Sequence, residues 1–168
     1  AGHSNTDPGA VNGKRTEAQI AVEIRDGVSS ILRSKGYTVI NDGKERDNQS
    51  LNEAVKLIPK GILAVEVHLN ASDNKLAGGI EALAKDKDKL FCKNLCYNLS
   101  QVFGNKVRGS DGGWKPENSG QHSRLAYVSA GGIILETFFI SNDKELKTYD
   151  DNKSLVYAVI AKTIEDHI

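Results

Sequence analysis

Short apolar runs alternate with segments of helical periodicity along most of this sequence. Residues 20–32 and 155–164 carry apolar side chains three or four positions apart, which is typical of amphipathic helices. Residues 62–69, 80–84 and 132–136 are short, mostly apolar runs that are typical of strands. Because strands that alternate with helices indicate an α/β fold, we expect a three-layer sandwich. Its central sheet should be mostly parallel, with about five or six strands and helices on both faces.

Local signals define further elements. The β-rich residues 37–40 predict a strand, and residues 124–128 predict another. Thr16 and Gln19 have the spacing of a capping box, which predicts that a helix begins at this point. A later helix should cover about residues 87–103, because a glycine follows them.

Two of the predicted strands end in residues that can carry chemistry. The run over residues 62–69 contains His68 just before the chain turns polar, and the run over residues 132–136 ends in Glu136. In open α/β sheets, functional sites form at the carboxyl ends of strands. We therefore expect His68 and Glu136 to contribute to one site.

A histidine and a glutamate stand at the start of the sequence. His3 lies in a Gly-rich turn, and Glu17 follows fourteen residues later in the first turn of a predicted helix. The turn can bring His3 to the helix N-terminus, where the helix dipole favours an ionised glutamate. Two metal ligands can therefore meet here.

Together these residues suit a catalytic zinc ion. Two histidines and one carboxylate are a common ligand set for catalytic zinc, and they leave a coordination position open for water or substrate. We predict one zinc ion per chain, with His3, Glu17 and His68 as its ligands. Glu136 then remains as the catalytic group that moves protons. The spacing alone indicates a metallohydrolase.

Four segments in this order resemble the zinc-dependent N-acetylmuramoyl-L-alanine amidases, in particular the catalytic domains of phage endolysins and related bacterial cell-wall amidases. They are Gly2-His3-Ser4 with Asp7-Pro8-Gly9-Ala10, then Glu17, then His68-Leu69-Asn70-Ala71, then Leu135-Glu136-Thr137-Phe138-Phe139-Ile140-Ser141-Asn142. The resemblance spans nearly the whole chain. It implies hydrolysis of the amide bond between the lactyl group of N-acetylmuramic acid and the L-alanine of the stem peptide in peptidoglycan.

The chain departs from this family at its beginning. The family normally has a strand before the Gly-His turn, whereas this sequence begins two residues upstream of His3. Either the sequence lacks its native start or the sheet has lost an edge strand.

Three further residues, Glu66, Glu81 and Asn70, are candidates for supporting the metal centre or for binding substrate. Glu66 shares a strand face with His68 and can orient its imidazole, or it can lie at a solvated strand end. Glu81 matches a glutamate position of the family and is either exposed or a support for the site. Asn70 can bond the stem peptide or cap a turn.

The loosest stretch of the sequence covers residues 105–123 and contains Trp114 and His122. Long loops in small domains are often functional. Trp114 can stack on a sugar or peptide of the substrate, or its side chain can pack within the loop itself. His122 can reach the site, although a lone loop histidine usually has no such role.

Length and charge limit the partners. The chain of 168 residues suits one catalytic domain over residues 1–168. Lys plus Arg equals Asp plus Glu at 22 each, so we expect no nucleic-acid partner. No apolar run is long enough for membrane insertion.

Cys92 and Cys96 lie four positions apart on one helical face, and we expect buried thiols rather than a disulfide.

The resemblance also indicates where the protein acts. We expect a monomer whose partner is peptidoglycan, acting at the bacterial cell wall in the periplasm or outside the cell. No signal-peptide pattern opens the sequence, which is consistent with release by host lysis. Nothing in the sequence resembles a separate wall-binding domain or an inserted autoinhibitory helix, which favours a small lytic, endolysin-like enzyme.

Two other functions remain open. A zinc carboxypeptidase-like peptidase also combines histidines and glutamates on an α/β scaffold, but it uses a tight His-x-x-Glu pair instead of the long spacing between His3 and Glu17. A non-catalytic peptidoglycan-binding module would usually have lost a ligand or the catalytic glutamate, and all four residues are present here.

Overall fold

The computed structural model describes residues 1–3, 6–44, 47–117, 119 and 125–168. The chain begins with a short hairpin, β1 (Val11–Asn12) and β2 (Arg15–Thr16), which leads directly into helix α1 (Glu17–Ser34). The Thr16 hydroxyl accepts a hydrogen bond from the Gln19 amide, and the Gln19 side chain accepts one from the Thr16 amide. The predicted capping box is therefore present, and it fixes the point at which α1 begins.

The remaining helices and strands follow in mixed order. They are α2 (Leu51–Val55), β3 (Val65–Asn70), β4 (Glu81–Leu83), α3 (Lys89–Phe103), β5 (Trp114–Lys115), α4 (Ala126–Ser129), β6 (Ile133–Phe139) and α5 (Asp143–Glu165). Short 3-10 turns at Ile58–Lys60 and Asp86–Asp88 follow α2 and precede α3. Gly104 ends α3 in the left-handed conformation that its sequence position predicts.

The central sheet has four strands within the described residues, in the order β3-β6-β4-β5. β3 is parallel to β6 and β4 is parallel to β5, but β4 runs antiparallel to β6. The expected α/β fold is confirmed, whereas the expectation of a mostly parallel sheet with five or six strands is wrong. A parallel connection needs a long crossover, usually a helix. Residues 71–80, which link β3 to β4, contain no helix, and β4 therefore returns in the opposite direction.

One predicted strand is an irregular segment. Residues 37–40 follow the end of α1 and pair with no strand among the described residues. Tyr37 and Ile40 are exposed, and the Val39 carbonyl accepts a hydrogen bond from Arg33. The β-rich composition of this segment is therefore not matched by a partner strand, which a sheet position requires.

The strand predicted over residues 124–128 is also wrong. Ser129 donates to the Leu125 carbonyl at 2.9 Å and Ala130 to the Ala126 carbonyl at 3.0 Å, which are the hydrogen bonds of a helical turn. Tyr127 and Val128 of this turn are buried. Periodicity cannot separate a strand from a helix in so short an apolar run, and here packing decided it.

The two faces of the sheet carry cores of different size. Ala82 and Leu135 belong to a large cluster with α1, α3 and α5, whereas the alternate residues Leu83 and Ile134 belong to a smaller cluster with α2 and α4. Since successive strand residues point to opposite faces, helices cover both faces of the sheet. Cys92 and Cys96 are buried free thiols in the larger core, as predicted.

β3 forms one edge of this sheet. The Gly2 amide donates to the Val67 carbonyl at 2.7 Å along that edge, so the Gly-rich turn is tied to β3. An apolar cavity of about 470 Å³ lies beside it, between α1, residues 37–42 and residues 57–67. None of the described helices has both the length and the apolar character that a bilayer span requires.

Candidate metal centre

Three titratable side chains form a row across the sheet. In register, His68 of β3 faces Glu136 of β6, and Glu136 faces Glu81 of β4. Register partners lie on one face of a sheet, which here is the face that carries the smaller core. The two residues that the sequence singled out therefore come together. The prediction that they end their strands is wrong, because β3 continues to Asn70 and β6 continues to Phe139.

His3, Glu17 and His68 converge at the β3 end of this row. The Glu17 carboxylate lies between two imidazoles: Oε2 is 3.1 Å from His3 Nε2, and Oε1 is 3.0 Å from His68 Nδ1. One ligand atom from each residue lies within 4.8 Å of the other two. These three side chains could therefore hold a metal ion.

Backbone groups fix the position of Glu17. The amide of Ala10 donates to Glu17 Oε2 at 3.0 Å, and the amide of Leu69 donates to Oε1 at 3.0 Å. Burial raises the pKa of this carboxyl, but hydrogen bonds from His3 and His68 and from these amides outweigh it and hold the pKa well below its usual range. Glu17 is therefore an ionised carboxylate, as a metal ligand must be.

The Gly-rich turn brings His3 to this carboxylate. His3 has a φ of 61°, which is uncommon for a residue other than glycine. A Cβ on Gly9 would come within 2.7 Å of Glu17 Oε2 and of the His3 ring, and a Cβ on Gly2 would come within 2.3 Å of the His68 ring. Glycines at these two positions therefore allow the backbone to approach the cluster closely.

Carboxylates also bond the outer nitrogens of both imidazoles. His68 Nε2 lies 3.2 Å from Glu66 Oε2, and His3 Nδ1 lies 2.9 Å from Asp7 Oδ2. Burial lowers the pKa of His68, but the bonds to Glu17 and Glu66 outweigh it and raise the pKa to about 10. The bond to Glu17 likewise raises the pKa of His3. Of the two alternatives for Glu66, the geometry favours orientation of the His68 ring.

The donor set fits zinc. Imidazole nitrogens and a carboxylate oxygen are its usual ligands in catalytic sites, and a carboxylate on the second ring nitrogen of a ligating histidine is a common companion. The distances of 3.1 and 3.0 Å allow Glu17 to share a proton with each imidazole, which would hold the three side chains together. A divalent cation can replace those protons, because it too brings positive charge between the imidazoles and the carboxylate.

Glu136 lies beside this cluster but differs from it electrostatically. Its Oε2 is buried and has no hydrogen-bond partner among the described residues. Burial raises the pKa of Glu136 to about 7, although the nearby His68 acts in the opposite direction. A carboxyl group with a pKa near neutrality can both accept and release a proton during a reaction.

Glu81 and Asn70 extend the row away from the metal centre. Glu81 is buried, so the alternative of an exposed glutamate is wrong. Its Oε1 accepts a hydrogen bond from Asn70 Nδ2 at 2.8 Å, and its Oε2 contacts Arg108 and Lys115. The Asn70 amide is therefore held by Glu81 rather than by a turn.

Trp114 lies in β5 and packs against the larger core. Its Nε1 donates to the Ala84 carbonyl at 3.1 Å, and Lys89 Nζ lies 4.3 Å from its ring centroid. These contacts favour the packing alternative over stacking on substrate. His122 lies outside the described residues.

Asp7, Arg108 and Lys115 also contact residues of the site, and the sequence patterns predict a role for none of them. Asp7 was detectable, because it follows His3 by four residues within the same turn. Arg108 and Lys115 gave no signal, because they reach Glu81 from an irregular segment and from another strand.

Comparison with known proteins identifies similar chains. Residues 1–166 match the model of a family described as N-acetylmuramoyl-L-alanine amidase. A crystal structure described as that of the "putative N-acetylmuramoyl-L-alanine amidase from Neisseria meningitidis" is 49% identical with a TM-score of 0.90, and the match covers 99% of this chain and 91% of that chain. A search of curated proteins finds no matching sequence.

Two more distant structures share the fold. The catalytic domain of CwlV from Bacillus (Paenibacillus) polymyxa var. colistinus is 23% identical with a TM-score of 0.83, and the match covers 99% of this chain and 94% of that chain. AmiC2 of Nostoc punctiforme is 18% identical with a TM-score of 0.81, over 99% of this chain and 92% of that chain. Both are described as N-acetylmuramoyl-L-alanine amidases.

Proposed function

Because the chain belongs to the family of N-acetylmuramoyl-L-alanine amidases, we propose that its active centre holds one zinc ion and hydrolyses the amide between the lactyl group of N-acetylmuramic acid and the L-alanine of the stem peptide. The observation that carries the proposal is the convergence of His3, Glu17 and His68 within 4.8 Å, beside the buried carboxyl group of Glu136. We infer that residues 1–168 act as a single catalytic domain.

The proposed ligands are His3, Glu17 and His68. When bound, zinc would act as a Lewis acid that polarises a carbonyl group and lowers the pKa of a bound water from about 15.7 toward about 7. Glu66 and Asp7 keep the rings of His68 and His3 in a fixed orientation. The Ala10 and Leu69 amides do the same for the Glu17 carboxylate.

Glu136 is the proposed catalytic proton carrier. Cleavage of the amide requires that the attacking water lose a proton and that the alanine nitrogen gain one before it leaves. The Glu136 carboxylate can accept the first proton at Oε2, which has no hydrogen-bond partner among the described residues, and then donate it to the nitrogen. Its burial supports this role, because a pKa raised to about 7 makes the carboxylate a better proton acceptor than an exposed glutamate while it can still release the proton.

The biological setting follows from the substrate. Peptidoglycan lies outside the cytoplasm, and we propose that the protein acts there as a monomeric, lytic enzyme of the endolysin type. The balanced charge of the chain, with 22 basic and 22 acidic residues, gives no support for a nucleic-acid partner. Sedimentation analysis tests the monomer, and loss of turbidity of bacterial walls tests lysis.

Mass spectrometry of digested peptidoglycan tests the proposed reaction. The expected product is a stem peptide with a new L-alanine amino terminus. The untreated protein should form this product, a chelator should abolish its formation, and added zinc should restore it. New carboxyl termini within the stem would instead indicate a carboxypeptidase-like peptidase. Binding to walls without any new terminus, whether or not a chelator is present, would indicate a non-catalytic binding module.

A further inference from the structure

A basic pair, Arg108 and Lys115, closes the end of the row that lies away from the metal centre. Arg108 Nε donates to Glu81 Oε2 at 2.8 Å, and Lys115 Nζ lies 2.6 Å from the same oxygen. The Glu81 side chain is 1% exposed, whereas those of Arg108 and Lys115 are 35% and 27% exposed. The Glu81 carboxylate is thus shielded from solvent, whereas the two cations that contact it are partly exposed to solvent.

The guanidinium of Arg108 is held in one orientation. Its Nη1 donates to the Gly78 carbonyl at 3.1 Å, and its Cζ lies 4.6 Å from the centroid of the Phe139 ring. Its Nη2 bonds none of the described residues. A guanidinium fixed in this way can bind a carboxylate with little further loss of conformational freedom.

The basic pair is within reach of a substrate that is bound at the metal centre. Neighbouring strands lie about 4.8 Å apart, so β4, which carries Glu81, is about 10 Å from β3, which carries His68. An extended peptide advances about 3.3–3.6 Å per residue. A carboxylate within about three residues of the scissile amide can therefore contact Arg108 and Lys115.

The substrate has a sugar side and a peptide side of the scissile amide, and its chemistry indicates which side contacts Arg108 and Lys115. The lactyl carboxyl of N-acetylmuramic acid is consumed in the scissile amide, so the free carboxylates of the substrate lie on the peptide side. We propose that Arg108 and Lys115 form a subsite for a stem-peptide carboxylate, which directs the peptide from the metal centre toward β4 and β5. The inference rests on the proposed amidase function.

The test uses a matched pair of soluble substrates and the full chain loaded with zinc. One is N-acetylmuramoyl-L-alanyl-γ-D-glutamyl-L-lysine, and the other carries a carboxamide in place of the glutamyl α-carboxylate. The C-terminal carboxylate of lysine is amidated in a second version of each, which separates the two carboxylates. The readout is the ratio of kcat/KM for the acid to kcat/KM for the amide, which does not depend on the fraction of folded protein.

The unaltered protein should cleave one acid form about ten- to a hundredfold better than its amide, which is the range for hydrogen bonds to charged groups. Arg108→Gln and Lys115→Gln should each bring the ratio toward one. Arg108→Lys should keep part of the preference for the acid, because lysine keeps the positive charge but lacks the planar guanidinium that can donate two parallel hydrogen bonds. Lys147→Gln, on an exposed lysine of α5, is the matched control and should leave the ratio unchanged.

Two results would overturn the inference while the amidase function stands. One is equal cleavage of all four substrates by the unaltered protein. The other is a preference that survives in both Arg108→Gln and Lys115→Gln, which would mean that the two cations serve only to neutralise Glu81. If the protein cleaves none of these substrates and releases no L-alanine termini from whole peptidoglycan, the proposed function fails together with the inference.

Discussion

His68 and Glu136 are register partners on the parallel strands β3 and β6, and they differ in how their polar atoms are satisfied. Both nitrogens of His68 have carboxylate partners, whereas Glu136 Oε2 has none among the described residues. The fully bonded side chain suits a fixed ligand. The unpaired carboxyl oxygen suits a group that exchanges a proton with substrate.

The first prediction concerns the metal ligands. His68→Ala removes one of three ligands, so the zinc content measured by elemental analysis should fall sharply from one ion per chain. His167→Ala removes an exposed histidine at the end of the chain and should leave the zinc content unchanged. Full retention of zinc by His68→Ala would show that the ligand set is different.

The second prediction separates catalysis from metal binding. Glu136→Gln keeps the shape of the side chain but cannot accept a proton, and positioned proton transfer typically contributes about a hundred- to ten-thousandfold. The rate of wall lysis should therefore fall by at least about a hundredfold. Zinc content and melting temperature should stay close to those of the parent. Loss of zinc in this variant would make Glu136 a ligand, and another group would have to carry the proton.

The third prediction concerns pH. The raised pKa values of His68 and His3 mean that the ion-free protein holds protons on this cluster at neutral pH, and zinc must displace them. The apparent zinc affinity should therefore rise with pH, by about tenfold per pH unit for each displaced proton, between about pH 6 and 8. Calorimetric titration in two buffers of different ionisation enthalpy measures the release. A pH-independent affinity with no proton release would contradict the interpretation of the cluster.

The fourth prediction distinguishes packing from substrate binding at Trp114. Trp114→Phe removes the hydrogen bond to Ala84, which should cost about 1 kcal/mol of unfolding free energy and lower the melting temperature by about 2–4 °C. KM for peptidoglycan should not change in this variant. Trp114→Ala should melt lower still. A higher KM at an unchanged melting temperature would assign the ring to substrate instead.

The site was more predictable from the sequence than the sheet was. The local signals were a Gly-rich turn at His3, a capping box around Glu17, and two apolar runs that form β3 with His68 and β6 with Glu136. Each signal indicates where a side chain lies, although both strands extend beyond the predicted ends. The direction of β4 depends on the absence of a crossover helix between β3 and β4, which no single residue encodes.

Other features depended on contacts between distant parts of the chain. The short apolar run that ends at Val128 could form a strand or a helix, and burial of Tyr127 and Val128 against α2 and the sheet accompanies the helix. The basic pair of Arg108 and Lys115 meets Glu81 only after β4, β5 and the segment before β5 have come together. Sequence spacing carries no information about such a meeting.

We propose that one zinc ion lies between His3, Glu17 and His68 while Glu136 stays outside its ligand shell. Anomalous diffraction from crystals of the zinc-loaded protein, measured at the zinc absorption edge, locates the ion. We predict a single strong peak about 2.0–2.2 Å from one nitrogen of each histidine and from a Glu17 oxygen. A peak at another place, or one in which Glu136 replaces any of the three ligands, would contradict it.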